Sequence, residues 1–232
     1  MKNILLIGGS YGIGLAIAKE IQFENNIYIA SRSNENLVDV KATYIPFDAT
    51  TDTIDTSLLP TIIDGLVYCP GSINLRPFKG IKPEAFETDL QINFISLVKV
   101  IQSVLPNLLA SEQASIVTFS SVAASMGMPF HTSVSAAKGA IEGFAKALAA
   151  EYAPKIRVNV IAPSLTDTPL ADKFLNNETK QEKSAERHPL KRFGKPEDSA
   201  QMATFLLSDK SSWISGQIFH VDGGMSTLLV NG

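Results

Sequence analysis

KNILLIGGSYGIG, Lys2 to Gly14, decides the reading of this chain. KNILLIG (Lys2–Gly8) is a short apolar run closed by glycine, the pattern of a strand buried on both faces of a parallel sheet. GIGLAIAKEIQ follows with helical spacing, so that Leu15, Ala18 and Ile21 share a face. Between them lies Gly8-Gly9-Ser10-Tyr11-Gly12-Ile13-Gly14. Glycines let the backbone turn tightly and approach a phosphate with no Cβ in the way. The helix N-terminus adds free N–H groups and a partial positive charge. A tight turn alone would need no more than this. Its place between the first strand and the first helix predicts a dinucleotide site, with Gly8, Ser10, Tyr11, Gly12, Ile13 and Gly14 as its cradle.

The same alternation continues along the chain. Further strands are expected at Ile27–Ser31, Ala42–Asp48, Asp64–Cys69, Ser115–Ser120, Ile156–Ala162 and Gly216–Asp222. Helices are expected over Pro83–Leu109, Ser133–Tyr152 and Pro196–Leu207, with Pro83 suited to a first turn and Pro106 breaking or kinking the helix. Leu170–Lys195 is polar, weakly patterned and expected to be a loop. Strands alternating with helices predict an α/β fold: a Rossmann-type doubly wound parallel sheet of about seven strands, helices on both faces, in one domain spanning 1–232. Ligands in such sheets bind beyond the carboxyl ends of the strands. The second strand ends IASRS, where an acidic residue would hold the adenosine ribose of NAD. Ser31 and Arg32 stand there instead, and an arginine can pair with a 2′-phosphate, which favours NADP(H) over NAD(H).

The totals narrow the classes. The chain has 232 residues, 45% of them apolar, and a net charge of −3 with both signs mixed. No basic block suggests nucleic acid, and no stretch approaches the ~20 apolar residues of a membrane span. The single cysteine, Cys69, rules out a disulfide framework within the chain. The N-terminal apolar run is too short for a signal peptide, so a soluble cytoplasmic protein is expected. Cysteines and histidines are not clustered with ligand spacing, and no metal is expected.

With these residues in view, the chain resembles a classical short-chain dehydrogenase/reductase over essentially all of its length. IGGSYGIG resembles the family's TGxxxGxG, with Gly8, Gly12 and Gly14 as its glycines and Ile7 in place of threonine. FDATTD matches the segment after the third strand, and the resemblance sets Asp48 and Ala49 against the adenine. Asn93 in LQINFISL matches the helix asparagine of the active site, Ser121 in SIVTFSSVAASMG its serine, and Lys138 the lysine of YxxxK. VNVIAPSLTDTPL resembles VNxVxPGxxxT, with Ser164 in place of glycine; it places Pro163 and Thr168 at the cofactor. The C-terminal third, from RFGKPED to HVDGG, is a close match.

Two departures stand out. NNAG becomes Tyr68-Cys69-Pro70-Gly71, of which only Gly71 survives, so the asparagines' hydrogen bonds must be replaced. More consequentially, Val134 stands where the family has its proton-donating tyrosine. The family mechanism passes hydride between nicotinamide and a carbonyl carbon. Its serine holds the oxygen, its lysine grips the ribose and lowers the tyrosine's pKa, and its asparagine holds a water behind the lysine. Ser121, Lys138 and Asn93 retain those parts; valine has no proton to give. Loss of a general acid typically slows a reaction by about 10²–10⁴-fold. His131, two helical turns before Lys138, is a candidate substitute, and Ser133, Ser135 and Tyr68 are others. A surface or substrate-loop histidine is the more ordinary reading of His131. His188 and His220 show no partner pattern, and Met126, Met128 and Phe130 hint at an apolar lining.

Two functions follow. One is an NADP(H)-dependent oxidoreductase acting on a small carbonyl or alcohol through an altered proton relay. The other is a dinucleotide-binding sensor or scaffold without turnover. A non-redox reaction at the same site is neither favoured nor excluded. The resemblance also implies a homodimer or homotetramer.

Overall fold

The computed structural model describes residues 1–230; the last two residues of the expected domain lie outside them. Seven strands, β1 (Lys2–Ile7), β2 (Asn25–Ser31), β3 (Thr43–Pro46), β4 (Gly65–Tyr68), β5 (Ala114–Phe119), β6 (Ile156–Pro163) and β7 (Ile218–Val221), form one sheet in the order β3-β2-β1-β4-β5-β6-β7. Every neighbouring pair is parallel. The order reverses between β1 and β4, which opens a crevice above their carboxyl ends.

The helices are α1 (Gly12–Ile21), α2 (Pro83–Leu90), α3 (Ser96–Leu109), α4 (Thr132–Tyr152), α5 (Asp172–Leu175), α6 (Glu178–Glu186) and α7 (Pro196–Leu207). Alternate residues of β1 show why its run is wholly apolar. Leu5 and Ile7 meet Leu97, Val100, Val104 and Leu108 of α3 and Ile141 and Ala145 of α4. Ile4 and Leu6 face Ile17, Ala18 and Ile21 of α1 and Ala200, Ala203 and Leu206 of α7. Each face is thus an independent apolar layer.

Three expectations need adjustment. Pro106 lies inside α3, which runs on to Leu109. The ring forfeits one backbone bond so near the helix end that the apolar stripe beneath outweighs the loss. Leu170–Lys195 is not a plain loop, because it contains α5 and α6. The Asn177 side chain caps α6 by accepting from the Lys180 N–H at 2.9 Å. The helix has little apolar periodicity to betray it. Finally, Pro83–Leu109 is long and apolar enough to cross a membrane by length and composition. Here its Leu97, Val100, Ile101, Val104 and Leu108 are packed into the core.

Candidate active site

A cleft of about 1090 Å³ lies along the carboxyl ends of the strands. The turn from β1 to α1 forms one end, with Gly8, Ser10, Tyr11, Gly12, Ile13 and Gly14 all on its wall. The backbone there requires glycine. Gly8 has φ +77°, and an ideal Cβ on Gly14 would lie 2.4 Å from the Gly8 carbonyl oxygen. A Cβ on Gly12 would come within 3.1 Å of Thr168, so the segment after β6 closes directly over the turn. Tyr11 at the start of α1 makes no side-chain cap, and the first N–H groups of the helix stay available to an anion. These features fit a dinucleotide pyrophosphate.

Ser31, Arg32, Asp48 and Ala49 line the adjoining wall. Ser31 is buried and its hydroxyl donates to the Ser33 carbonyl at 2.9 Å, while Arg32 is exposed. The Asp48 carboxylate accepts from the Thr50 hydroxyl and N–H at 2.6 and 2.9 Å. These bonds, aided by the Arg32 charge, hold its pKa below the usual carboxylate value. Pro70 answers the question of the missing asparagines in part. Its ring seats against Gly8, 3.1 Å from where a Cβ would be, and the Cys69 N–H still donates to Ile7 O at 2.9 Å.

Ser121, His131, Val134, Lys138, Pro163 and Met128 line the other end. Ser120 and Ser121 are told apart by their partners. Ser120 is buried and donates to Glu142 Oε1 at 2.6 Å, whereas the Ser121 Oγ accepts only the Ala123 N–H within its own turn, at 3.2 Å. Lys138 is 7% exposed, and its Nζ donates to Phe119 O at 2.8 Å. Burial lowers its pKa to about 8, against the opposing pull of Cys69 and Asp89. The Cys69 thiol beside it is pushed up to about 12 by burial.

Asn93 does not reach the cleft wall. It is fully buried behind Lys138, in a widened π turn, Gln91–Ile95, between α2 and α3. Its Nδ2 donates to Ser72 Oγ and Asp89 O, both at 2.8 Å, and Ser72 donates to the Asp89 carboxylate at 2.6 Å. A Cβ on Gly71 would lie 3.0 Å from Asn93 Oδ1 and 3.2 Å from Lys138 Nζ. Asn93 Oδ1 and Asp89 Oδ2 are buried without a hydrogen-bond partner among the described residues. Asp89 escaped the sequence reading, since an acid in a polar helix ordinarily faces solvent.

Of the substitutes for tyrosine, Tyr68 is excluded. Its ring is buried in the core, its hydroxyl donates to Ile92 O at 2.7 Å, and burial pushes its pKa up. Ser135 donates to Ala123 O at 2.7 Å, and Ser133 is buried off the cleft. His131 does line the cleft, with Nδ1 2.7 Å from Pro129 O. Met126 and Phe130 are not on the wall, and Phe130 is exposed. His188 proves to have partners after all. Its two ring nitrogens meet Ser184 O at 2.7 Å and Ser164 Oγ at 2.8 Å. The α6 face toward the cleft carries Lys180, Lys183 and Arg187.

The family model described as enoyl-(acyl carrier protein) reductase matches residues 8–226. The 3-oxoacyl-[acyl-carrier-protein] reductase FabG of Thermotoga maritima is 38% identical over 164 residues, 70% of this chain and 66% of that protein. The 2-(S)-hydroxypropyl-CoM dehydrogenase 3 of Xanthobacter autotrophicus is 33% identical over 251 residues, covering 98% of each. Among solved structures, ligand-free aldohexose dehydrogenase of Thermoplasma acidophilum superposes with a TM-score of 0.88 at 26% identity, covering 100% of this chain and 96% of its own. With its parallel sheet, glycine turn and shared sequence, the chain belongs to the classical short-chain dehydrogenase/reductase family.

Proposed function

We propose that the protein is an NADP(H)-dependent oxidoreductase that interconverts a small carbonyl compound and its alcohol without the family's tyrosine. The observation that carries this reading is the single cleft joining the glycine turn to Ser121 and Lys138. A bound nicotinamide dinucleotide supplies or accepts the hydride. The turn and the α1 N-terminus would hold its pyrophosphate, and Arg32 its 2′-phosphate. Lys138 would bind the nicotinamide ribose, with Asn93 behind it. Ser121 would donate to the substrate oxygen, orienting the carbonyl for attack.

Calorimetric titration tests the cofactor. NADPH is expected to bind at least about tenfold more tightly than NADH, and Arg32→Asp to reverse that order, because the substitution trades a phosphate partner for a repelling carboxylate. Equal binding of both by wild type would overturn the preference.

Buried Val134 favours a second reading, a dinucleotide-binding protein without turnover. Val134→Tyr separates the two in a carbonyl-reduction panel. On the first reading wild type already turns over, and tyrosine raises kcat by less than about 10²-fold. On the second, wild type is silent and the substitution creates activity.

A further inference from the structure

Ser164 and His188 line the cleft, yet neither has a part in the reading above. Ser164 follows β6. The register pairs Phe119 with Ile161, and continued by two residues it sets Ser121 beside Pro163. Ser164 therefore stands one residue past the site serine's neighbour, where the family's motif carries glycine.

His188 is 2% exposed and held at both nitrogens. A carbonyl oxygen only accepts, so the 2.7 Å contact with Ser184 O places a hydrogen on Nδ1. In the neutral ring Nε2 is then an acceptor, and the Ser164 hydroxyl donates to it at 2.8 Å. When the ring is protonated, Nε2 becomes a donor to the same oxygen, and Ser164 must turn its own proton elsewhere. Val134, by contrast, brings no proton to the cleft. Gly223 packs on the ring, a Cβ there falling 3.7 Å from the imidazole. The ring's own segment carries Lys183, Glu186 and Arg187, Asp222 precedes the Gly223 that packs on the ring, and His131 and Lys138 line the same cleft.

We infer that Ser164 and His188 form the proton relay that replaces the tyrosine, with Ser164 as the catalytic residue and His188 as the positioning residue that supplies its proton. The inference rests on the oxidoreductase reading. In reduction, the carbonyl carbon gains hydride as the dihydronicotinamide is oxidised, and the substrate oxygen takes the proton of Ser164. That O–H bond breaks as a new one forms with the proton from His188 Nε2, and the imidazole is left neutral, to be recharged from water. Oxidation of the alcohol runs the same transfers backward.

The test uses the full chain in three measurements: carbonyl reduction with NADPH across the imidazole titration range, NADPH affinity, and imidazole NMR of the cofactor-free protein. Ser164→Ala and His188→Gln are expected to lower kcat by about 10²-fold with NADPH affinity unchanged. Both should flatten the pH dependence of kcat that the relay implies for wild type. Ser164→Gly, which restores the family's residue at that position, is expected to behave as Ser164→Ala and guards against a folding defect. NMR should find His188 with its neutral-form proton on Nδ1, and Ser164→Ala should move its Nε2 resonance. Wild-type rates and pH profile in these variants, or loss of that pH dependence in His131→Gln alone, would overturn the relay while leaving the oxidoreductase reading intact. Absence of wild-type turnover across the panel despite NADPH binding would overturn both.

Discussion

Lys138→Met is expected to cut turnover by at least about 100-fold while making the cofactor-free protein more stable. The two effects have one origin. Nζ is an ammonium buried to 7% exposure whose hydrogen-bond acceptor is a neutral backbone carbonyl, and burial holds its pKa near 8 against an ordinary 10.5. Such a shift corresponds to a folding cost on the order of 3 kcal/mol. The sign follows from proton binding. Below about pH 8 the folded and unfolded chains both carry the charge, and the folded chain bears the whole cost. Between about 8 and 10.5 the unfolded chain holds more protons, so stability rises with pH across that window. Methionine keeps the stem and removes the charge. A Tm higher by about 6–12 °C near neutrality, together with loss of the alkaline rise, is the expected result in calorimetric scans. NADPH affinity should fall at the same time, because on the proposed reading the ribose loses its donor. A variant less stable than wild type at neutral pH would show that Lys138 stabilises the empty fold.

Gly14→Ala is expected to reduce NADPH affinity by at least about 100-fold and to lower Tm by several degrees. The added methyl would sit 2.4 Å from the Gly8 carbonyl oxygen and 3.0 Å from the Gly9 Cα. Both are backbone atoms, so neither can swing aside as a side chain would. Overpacking of this kind costs about 1–3 kcal/mol in the fold. The larger penalty falls on the ligand, because α1 must retreat from the turn and its N-terminal N–H groups leave the position proposed for the phosphate. Gly143→Ala, where a Cβ would meet nothing within 4 Å, provides the comparison. Equal NADPH affinity in the two variants would disprove the cradle.

The sequence is most informative where chemistry is local. A glycine turn between a strand and a helix announces itself within Lys2–Gly14, and apolar runs of four to eight residues mark the β-strands to within two or three residues. Ser121, Lys138 and the glycines could be placed because each lies on or just beyond such an element. What escaped was of two kinds. Asp89 and Ser72 are 17 residues apart and meet beside Asn93 of the π turn, and a buried acid looks like any surface acid in a helix. Ser164 and His188 are 24 residues apart, joined by α5 and α6, whose polar composition hides both the helices and the contact. Tyr68 misled in the other direction. Its position at a strand end suggested the site, but the alternation of the strand turns it into the core.

Helix α6 carries the Ser184 carbonyl that fixes the His188 tautomer, and the same helix lays Lys180, Lys183 and Arg187 along the cleft. The segment that carries the ring is tied on both sides, since the His188 N–H bonds to Ala185 O at 3.1 Å and the Leu190 N–H to Gly223 O at 3.2 Å. Moving α6 would therefore disturb the acceptor that keeps the hydrogen on Nδ1, and with it the polarity that points Ser164's hydrogen toward the ring. One wall of the cleft would then also set the direction of the proton wire.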